Sequence, residues 1–404
     1  MTPSPTPSKI HVWPALFASL AVQVLVSMSG LTGAVLAPLA AADFGFSPVY
    51  IGIYVSAIYG IAAFSSLVSG GAIARFGPMR TSQACLVLAA VALAFAATGH
   101  PAALVVNAIL MGLSFGPPTP ASTTMLAQGA PPQWMNLLFS IRQTGVPIGN
   151  MLAGAILPGL ALAVGWRVSA LCVAVACLTL VFIVQPVRNA VDASRDRSRR
   201  VFGGGFIVGP LRLVFGDRGL RRMALVSLAF SGMQSALSAF LVIYLHHDIG
   251  MPLVTAGIVL AAAQIAGAVG RIFWGIAADR FTTPRVVLGT IGLIMTAAAL
   301  ATGLFTPAWP LPAIFAVCIV FGGTAVAWNG VYLAQIAKLS PPGRAGEATG
   351  GTSFITFSGI VFAPILVSTV VSTTGSYTLA FAMIAVFTGL AGLSFLLPQR
   401  GRDA

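Results

Sequence analysis

Two arginines stand inside apolar stretches of this chain: Arg271 in "AGAVGRIFWGIAADR" and Arg142 in "FSIRQTG". A guanidinium cannot shed its charge, and holding it in an apolar helix is costly. Its planar fork of donors suits a carboxylate-type anion, which it meets with two parallel hydrogen bonds. No acid accompanies either arginine. The eight acidic residues fall elsewhere: Asp43, Asp248 and Asp279 at segment ends or loops, Asp192, Asp196, Asp217 and Asp403 in hydrophilic stretches, and Glu347 where an apolar segment begins. The histidines (His11, His100, His246 and His247) also lie at segment ends. Intramembrane proton relays and cation sites need a carboxylate or imidazole within the apolar segment, so a cation substrate is disfavoured. Cys85, Cys172, Cys177 and Cys318 all lie in apolar segments without metal-ligand spacing, and are expected to be small core residues. A P-loop, a Gly-x-Ser-x-Gly elbow and a His-Glu-x-x-His site are all absent, so neither an enzyme, a metal nor a cofactor is expected.

The elements that must hold these arginines are membrane spans. The chain has 404 residues, 57% hydrophobic and 7% charged, with a mean hydropathy of +0.96. Soluble domains carry roughly 25% charged residues. A spanning helix needs about 20 mostly apolar residues. Such runs occur at 13–40, 48–74, 80–99, 102–122, 134–161 and 166–186, and again at 223–246, 252–278, 285–306, 310–336, 347–372 and 376–398. Between the groups lies "RNAVDASRDRSRRVFGGGF". The expected organisation is an N-terminal six-helix bundle (1–186), a basic linker (187–222) and a C-terminal six-helix bundle (223–404). The linker's last part, Pro210 to Arg222, is mixed apolar and basic and is expected to lie along the membrane surface as a short helix. The polar N-terminus precedes a segment too long for a signal h-region, so no cleavable signal peptide is expected.

The formal net charge of +13 is a topology signal. With both termini on one side, that side receives Lys9, Arg75, Arg80, nine arginines from 188 to 222, Arg280, Arg285, Lys338, Arg344, Arg400 and Arg402. The other side receives Arg167. The bias puts both termini in the cytoplasm of a cell whose inner membrane holds the protein. It also removes nucleic acid as a partner, because no basic-aromatic stripe accompanies the charge.

The two groups of spans repeat. "GGAIARFGPMR" (70–80) after the second span matches "GIAADRFTTPR" (275–285) after the eighth, and Gly149 on the fifth span stands opposite Gly359 on the eleventh. Transporters with such repeats place their substrate between the halves near mid-membrane. The chain here resembles the major facilitator superfamily over nearly its whole length. That family's loop, Gly-x-x-x-Asp-Arg-x-Gly-x-x-Arg, is matched by Gly70, Arg75, Gly77 and Arg80, with Ala74 at the acidic position. The second copy keeps Gly275, Asp279, Arg280 and Arg285, with Thr282 in place of the glycine. The resemblance implies an all-α integral membrane fold of twelve transmembrane helices in two pseudo-symmetric six-helix bundles. It further implies a monomeric secondary transporter that works by alternating access, with these loops bracing and gating the halves. The fifth span lacks the Gly-Pro…Gly-Gly core of proton-driven exporters, and the fourth lacks the membrane arginine common in proton-coupled members, with only Asn107 as a strongly polar group.

Arg142 lies eight residues beyond Trp134, about 12 Å into its span, and Arg271 lies eight before Asp279, at a similar depth. In the family these two spans, five and eight, face each other across a central cavity. Arg271 also resembles the substrate-binding arginine of monocarboxylate, oxalate and nitrate members. The lysine that oxalate exchangers carry on span eleven has no counterpart, and the acid that eukaryotic monocarboxylate carriers place a turn before the arginine is Gly267. Gln23, Gln234, Gln264, Trp328 and Asn329 are further candidate ligands, with Tyr54, Tyr59 and Trp274 as aromatic walls. Other roles stand beside these. Arg271 could bond to backbone carbonyls or snorkel, Arg142 could brace a helix or gate, and the glutamines and aromatics could serve helix packing. The expected function is alternating-access transport of a small organic anion, by symport or exchange, with the substrate and the lipid bilayer as partners. The rivals are an exporter of neutral or hydrophobic compounds and a solute sensor that does not transport.

Overall fold

The computed structural model describes residues 12–44, 49–199, 201 and 205–397. Twelve helices are long and apolar enough to cross a membrane. Spans one to six are Val12–Leu36, Gly52–Phe76, Pro78–Ala97, Pro101–Gly129, Pro132–Val164 and Trp166–Ile183. Spans seven to twelve are Arg218–His247, Leu253–Arg280, Pro284–Gly303, Leu311–Leu339, Ala345–Thr374 and Tyr377–Leu396. No strand occurs among the described residues. Loops 2–3, 4–5, 8–9 and 10–11 gather with the linker at one end, called the basic end below. Among the described residues, the far end carries a single arginine and no lysine: Arg167, in the first turn of span six.

The spans form two halves, each with its own apolar core. One core is built from residues 15–191, and the other chiefly from residues 214–395. The repeat seen in the sequence recurs in the packing. Span five lies against span one, and span eleven lies against span seven. A Cβ on Gly359 would come within 2.5 Å of the Leu228 carbonyl oxygen, and one on Gly149 would overlap that of Val24. Glycine at both positions lets two backbones touch, which is how helices associate where no hydrophobic drive separates protein from lipid.

Three spans are interrupted. Span four breaks at Gly116-Pro117, between Pro101–Phe115 and Pro118–Gly129. Span five breaks at Thr144, between Met135–Gln143 and Gly145–Val164. Span ten breaks at Val326–Trp328, between Leu311–Ala325 and Asn329–Leu339. Proline accounts for the first two, since it cannot donate to the helix ladder and crowds the preceding turn. Interrupted backbone at membrane depth is tolerated only where protein supplies partners for the freed groups.

The halves meet most extensively where span two lies along span eleven, and also through the basic-end pieces of these interrupted spans. Met135–Gln143 packs against spans eight and ten, and Pro118–Gly129 against span eleven. Leu126, Leu138 and Phe139 of the first half are drawn into the second half's core. The far-end pieces Pro101–Phe115, Gly145–Val164 and Leu311–Ala325 pack chiefly within their own halves. At mid-depth an aromatic cluster closes the seam, with Phe357 at 6.1 Å from Tyr59 and 6.2 Å from Phe115, centroid to centroid.

The linker differs from the expectation in two respects. Pro210–Arg222 is not one surface helix. Val208–Gly216 is helical, and it seats Val214 against span eleven with none of that side chain exposed. Span seven then starts at Arg218, because Asp217 caps it by accepting the Leu220 amide at 2.9 Å. The linker is also docked rather than only connecting. Asp192, fully buried, accepts the Met79 amide at 2.8 Å and the Arg80 amide at 3.1 Å, so it caps span three from outside. The Asp196 amide donates to the Ala74 carbonyl at 2.8 Å, and Arg75 donates to the Arg199 carbonyl at 3.2 Å. Loss of a capping carboxylate costs about 0.5–2 kcal/mol. Asp192→Ala is therefore expected to free the linker, read as faster tryptic cleavage at Arg195–Arg199 with the spans intact.

Candidate functional site at the seam of the halves

Arg142 and Arg271 are both taken out of solvent, at 0% and 2% exposure. Arg271 meets main-chain carbonyls at helix breaks, whereas Arg142 meets mainly side chains. Arg142 Nη2 donates to Gln23 Oε1 at 2.7 Å and to the Pro118 carbonyl at 2.9 Å, and its Nη1 to the Gln143 side chain and, at 3.4 Å, to Thr119 Oγ1. Its Nε is buried without an acceptor. Arg271 Nε donates to the Val326 carbonyl at 2.9 Å, at the break in span ten. Its Nη1 donates to the main-chain carbonyl of Gln143, in the other half of the molecule. Gln143 thus touches both guanidiniums, with its side chain on Arg142 and its carbonyl on Arg271.

That carbonyl is available for a local reason. Helical geometry would pair it with the amide four residues on, and that residue is Pro147, which has no N–H. Every partner of the two arginines is neutral, and no salt bridge involves either among the described residues. Two positive charges sharing one buried site without a counter-charge are stabilised by any anion that enters.

A second contact ties the halves beside this pair. Asp279, at the end of span eight, accepts the Asn136 amide at 3.2 Å, Asn136 Nδ2 at 2.7 Å and the Leu137 amide at 2.8 Å. One half's carboxylate therefore caps the first turn of span five in the other, where the helix dipole also favours it. Gly275 and Gly330 close on Ser140 from two sides, a fit that leaves no room for a side chain at either position.

The first copy of the loop motif is built differently. With Ala74 in the acidic place, the acid comes from the opposite partner. Glu347, in the first turn of span eleven, sits against Gly70. It is held by Arg344 at 2.7 and 2.9 Å and approached by Arg199 of the linker at 3.6 Å. A cavity of about 370 Å³ lies here, among Gly70, Gly71, Arg199, Pro210, Arg344 and Glu347, apart from the arginine pair. Gly77 turns the chain into span three with φ +97°, and Arg80 and Arg280 are exposed. Arg285 donates to the Phe395 and Leu397 carbonyls and so caps span twelve.

The other candidates divide. Gln23 belongs to the Arg142 cluster, and its Nε2 donates to Ser27 Oγ at 2.9 Å. Gln264 stands two turns from Arg271 on the same span without contacting it, and donates to Ser238 at 3.1 Å. Gln234 accepts from the Trp328 indole at 3.2 Å and from Asn329 at 3.3 Å, a separate cluster inside the second half. Trp328 is fully buried against Phe230 and Tyr332. Tyr54 donates to Asn107 at 2.5 Å, and Trp274 to the Gly323 carbonyl at 2.9 Å. Sequence reasoning missed Gln143, Pro118 and Thr119 at the site. Pro147 was the available signal, since a proline in a span marks an orphaned carbonyl four residues earlier.

Two six-span halves joined about a buried polar centre define a multi-pass membrane protein of the transporter type. The family model of the Major Facilitator Superfamily matches residues 17–364, and the chain belongs to that superfamily. A hexuronate transporter of Bacillus subtilis (strain 168) is 23% identical over 389 residues, covering 91% of this chain and 90% of its own. A probable galactarate/D-glucarate transporter of Escherichia coli (strain K12) is 22% identical over 395 residues, covering 88% and 86%. The fold superposes on that of a variant of the Escherichia coli fucose:proton symporter FucP with a TM-score of 0.76, over 96% of this chain and 99% of the other, at 15% identity. The protein is a membrane transporter and not an enzyme.

Proposed function

We propose that this protein carries a small organic carboxylate across the cytoplasmic membrane by alternating access, with the arginine pair as its anion site. The observation that carries the reading is the pair itself: two fully buried guanidiniums from opposite halves, no acid beside them, and an Arg142 N–H without an acceptor. The relatives named for hexuronate and for galactarate or glucarate support an acid as the substrate. Arg271 is the principal ligand and Arg142 the second cation. Gln23, which already holds Arg142, completes the site, and Gln264, two turns along span eight, is available to substrate groups beyond the carboxylate.

The basic end faces the cytoplasm, because positive loops are retained there. The conformation is then one closed at the cytoplasmic end, by Asp279 and by the bond from Arg271 to Gln143. The test is counterflow in proteoliposomes with D-glucuronate, D-glucarate and benzoate, each run beside its neutral counterpart D-glucose, D-glucitol or benzamide. Exchange of at least one acid, and of none of the neutral partners, is expected. Exchange of neutral compounds alone would turn the reading toward export of uncharged molecules.

A further inference from the structure

We infer that the main-chain carbonyl of Gln143 is a built-in competitor for the anion at Arg271, and that Pro147 creates it. The inference rests on the anion reading above and adds a specificity determinant to that site. Pro147 withholds the one amide that would occupy this carbonyl within its own helix. Arg271 takes it across the seam instead, and in doing so holds span eight to span five. With Nε committed to Val326 and Nη1 to Gln143, each two-donor edge of the guanidinium has one donor engaged, so a carboxylate that takes the Nη1–Nη2 edge must replace Gln143.

This exchange selects by charge. A neutral ligand oxygen replaces one neutral acceptor by another and gains little. A carboxylate oxygen makes a charge-assisted bond that is roughly twice as strong, so it alone displaces the carbonyl. Displacement breaks the contact between the halves at the basic end, so the binding event itself loosens the gate. The differential interaction that a ligand-driven change of state requires is thereby supplied at a single bond.

Pro147→Ala restores the missing amide. A carbonyl has two lone pairs, so Arg271 keeps a weakened share of it while the helix takes the other. Alanine is a strong helix former, and the variant is expected to fold as wild type does. The reporter is Ser140→Cys in a Cys172→Ser background, because Ser140 is buried between the halves and the other three cysteines are buried. Its labelling by a maleimide from the basic end reads opening of the seam.

In the reporter protein without the Pro147 change, the carboxylates of the panel above are expected to raise the labelling rate, and their neutral counterparts to leave it unchanged. In Pro147→Ala, labelling without anion is expected to be about 3- to 10-fold faster, and the half-maximal carboxylate concentration lower by a similar factor. Anion-stimulated labelling that is identical with and without Pro147→Ala overturns the inference and leaves the anion site standing. Weaker anion binding in Pro147→Ala overturns it as well. If no carboxylate changes labelling in either protein, the anion reading falls and this inference falls with it.

Discussion

Arg271→Ala is expected to abolish carboxylate transport while leaving the protein folded. The fork supplies two charge-assisted bonds to the substrate, each worth about 1.5–3 kcal/mol. Their loss corresponds to a fall in anion affinity on the order of 10²- to 10⁴-fold. The fold has less to lose. A fully buried guanidinium with only neutral partners carries an uncompensated desolvation cost, and its removal offsets much of the packing and hydrogen bonding lost with it. The melting temperature is therefore expected to stay within a few degrees of wild type. Arg271→Lys separates charge from geometry: it keeps the cation but cannot span both acceptor edges, and should retain an intermediate activity. Arg271→Ala that moves carboxylates at near wild-type rate would remove the residue from the site.

Asp279→Ala has the second large effect, on the balance of states. The carboxylate accepts two main-chain amides and one side-chain amide from the other half, and it is the only acid that crosses the seam in this way among the described residues. A helix cap contributes about 0.5–2 kcal/mol, and hydrogen bonds to a charged group about 1.5–3. A combined loss of about 2–3 kcal/mol shifts the equilibrium between closed and open basic ends by roughly 30- to 150-fold. Labelling of the Ser140→Cys reporter should rise accordingly, and transport should slow because the state closed at the basic end is depleted. Glu347→Ala is the contrast. Glu347 is bound to Arg344 in its own half and to the linker, so its removal is expected to move the same reporter by less than about 3-fold. Equal effects from the two variants would mean that the two loop copies latch alike.

The asymmetry between the copies shows what was legible in the sequence and what was not. Ala74 and Asp279 disclosed that one copy had lost its acid, because the motif fixes where the acid should stand. Nothing in the spacing disclosed that Asp192 of the linker would cap span three, or that Glu347 would supply the charge beside Gly70, since both contacts join segments far apart in the chain. The twelve spans, their division into halves and the Gly149–Gly359 correspondence followed from hydropathy and repetition. Those properties are carried by many residues at once and survive local exceptions.

The arginines were visible as costly charges in apolar runs, and their similar depth followed from counting residues. Their immediate partners were hidden, because they are neutral side chains and main-chain carbonyls, most of them brought from other spans by tertiary packing. Trp328 and Asn329 entered as candidate ligands on polarity alone. The structure joins them to Gln234, just beyond the Val326 carbonyl that Arg271 holds, and residue type carries no information about which helix face turns to the seam. The question of whether Arg271 meets an anion or a neighbouring helix has a conformational answer. In this state it holds the carbonyl of Gln143, and the proposed anion takes that carbonyl's place.

Carboxylate binding by the buried pair is open to direct measurement. Its most direct test is the thermal shift of purified wild-type protein with D-glucuronate, D-glucarate and benzoate beside D-glucose, D-glucitol and benzamide, repeated with Arg271→Ala. A ligand held by the folded state raises the apparent melting temperature by mass action. The account predicts a rise with at least one acid, none with its neutral partner, and none with either in Arg271→Ala. An equal rise with the acid and its neutral partner, or a carboxylate shift that survives Arg271→Ala, would contradict it.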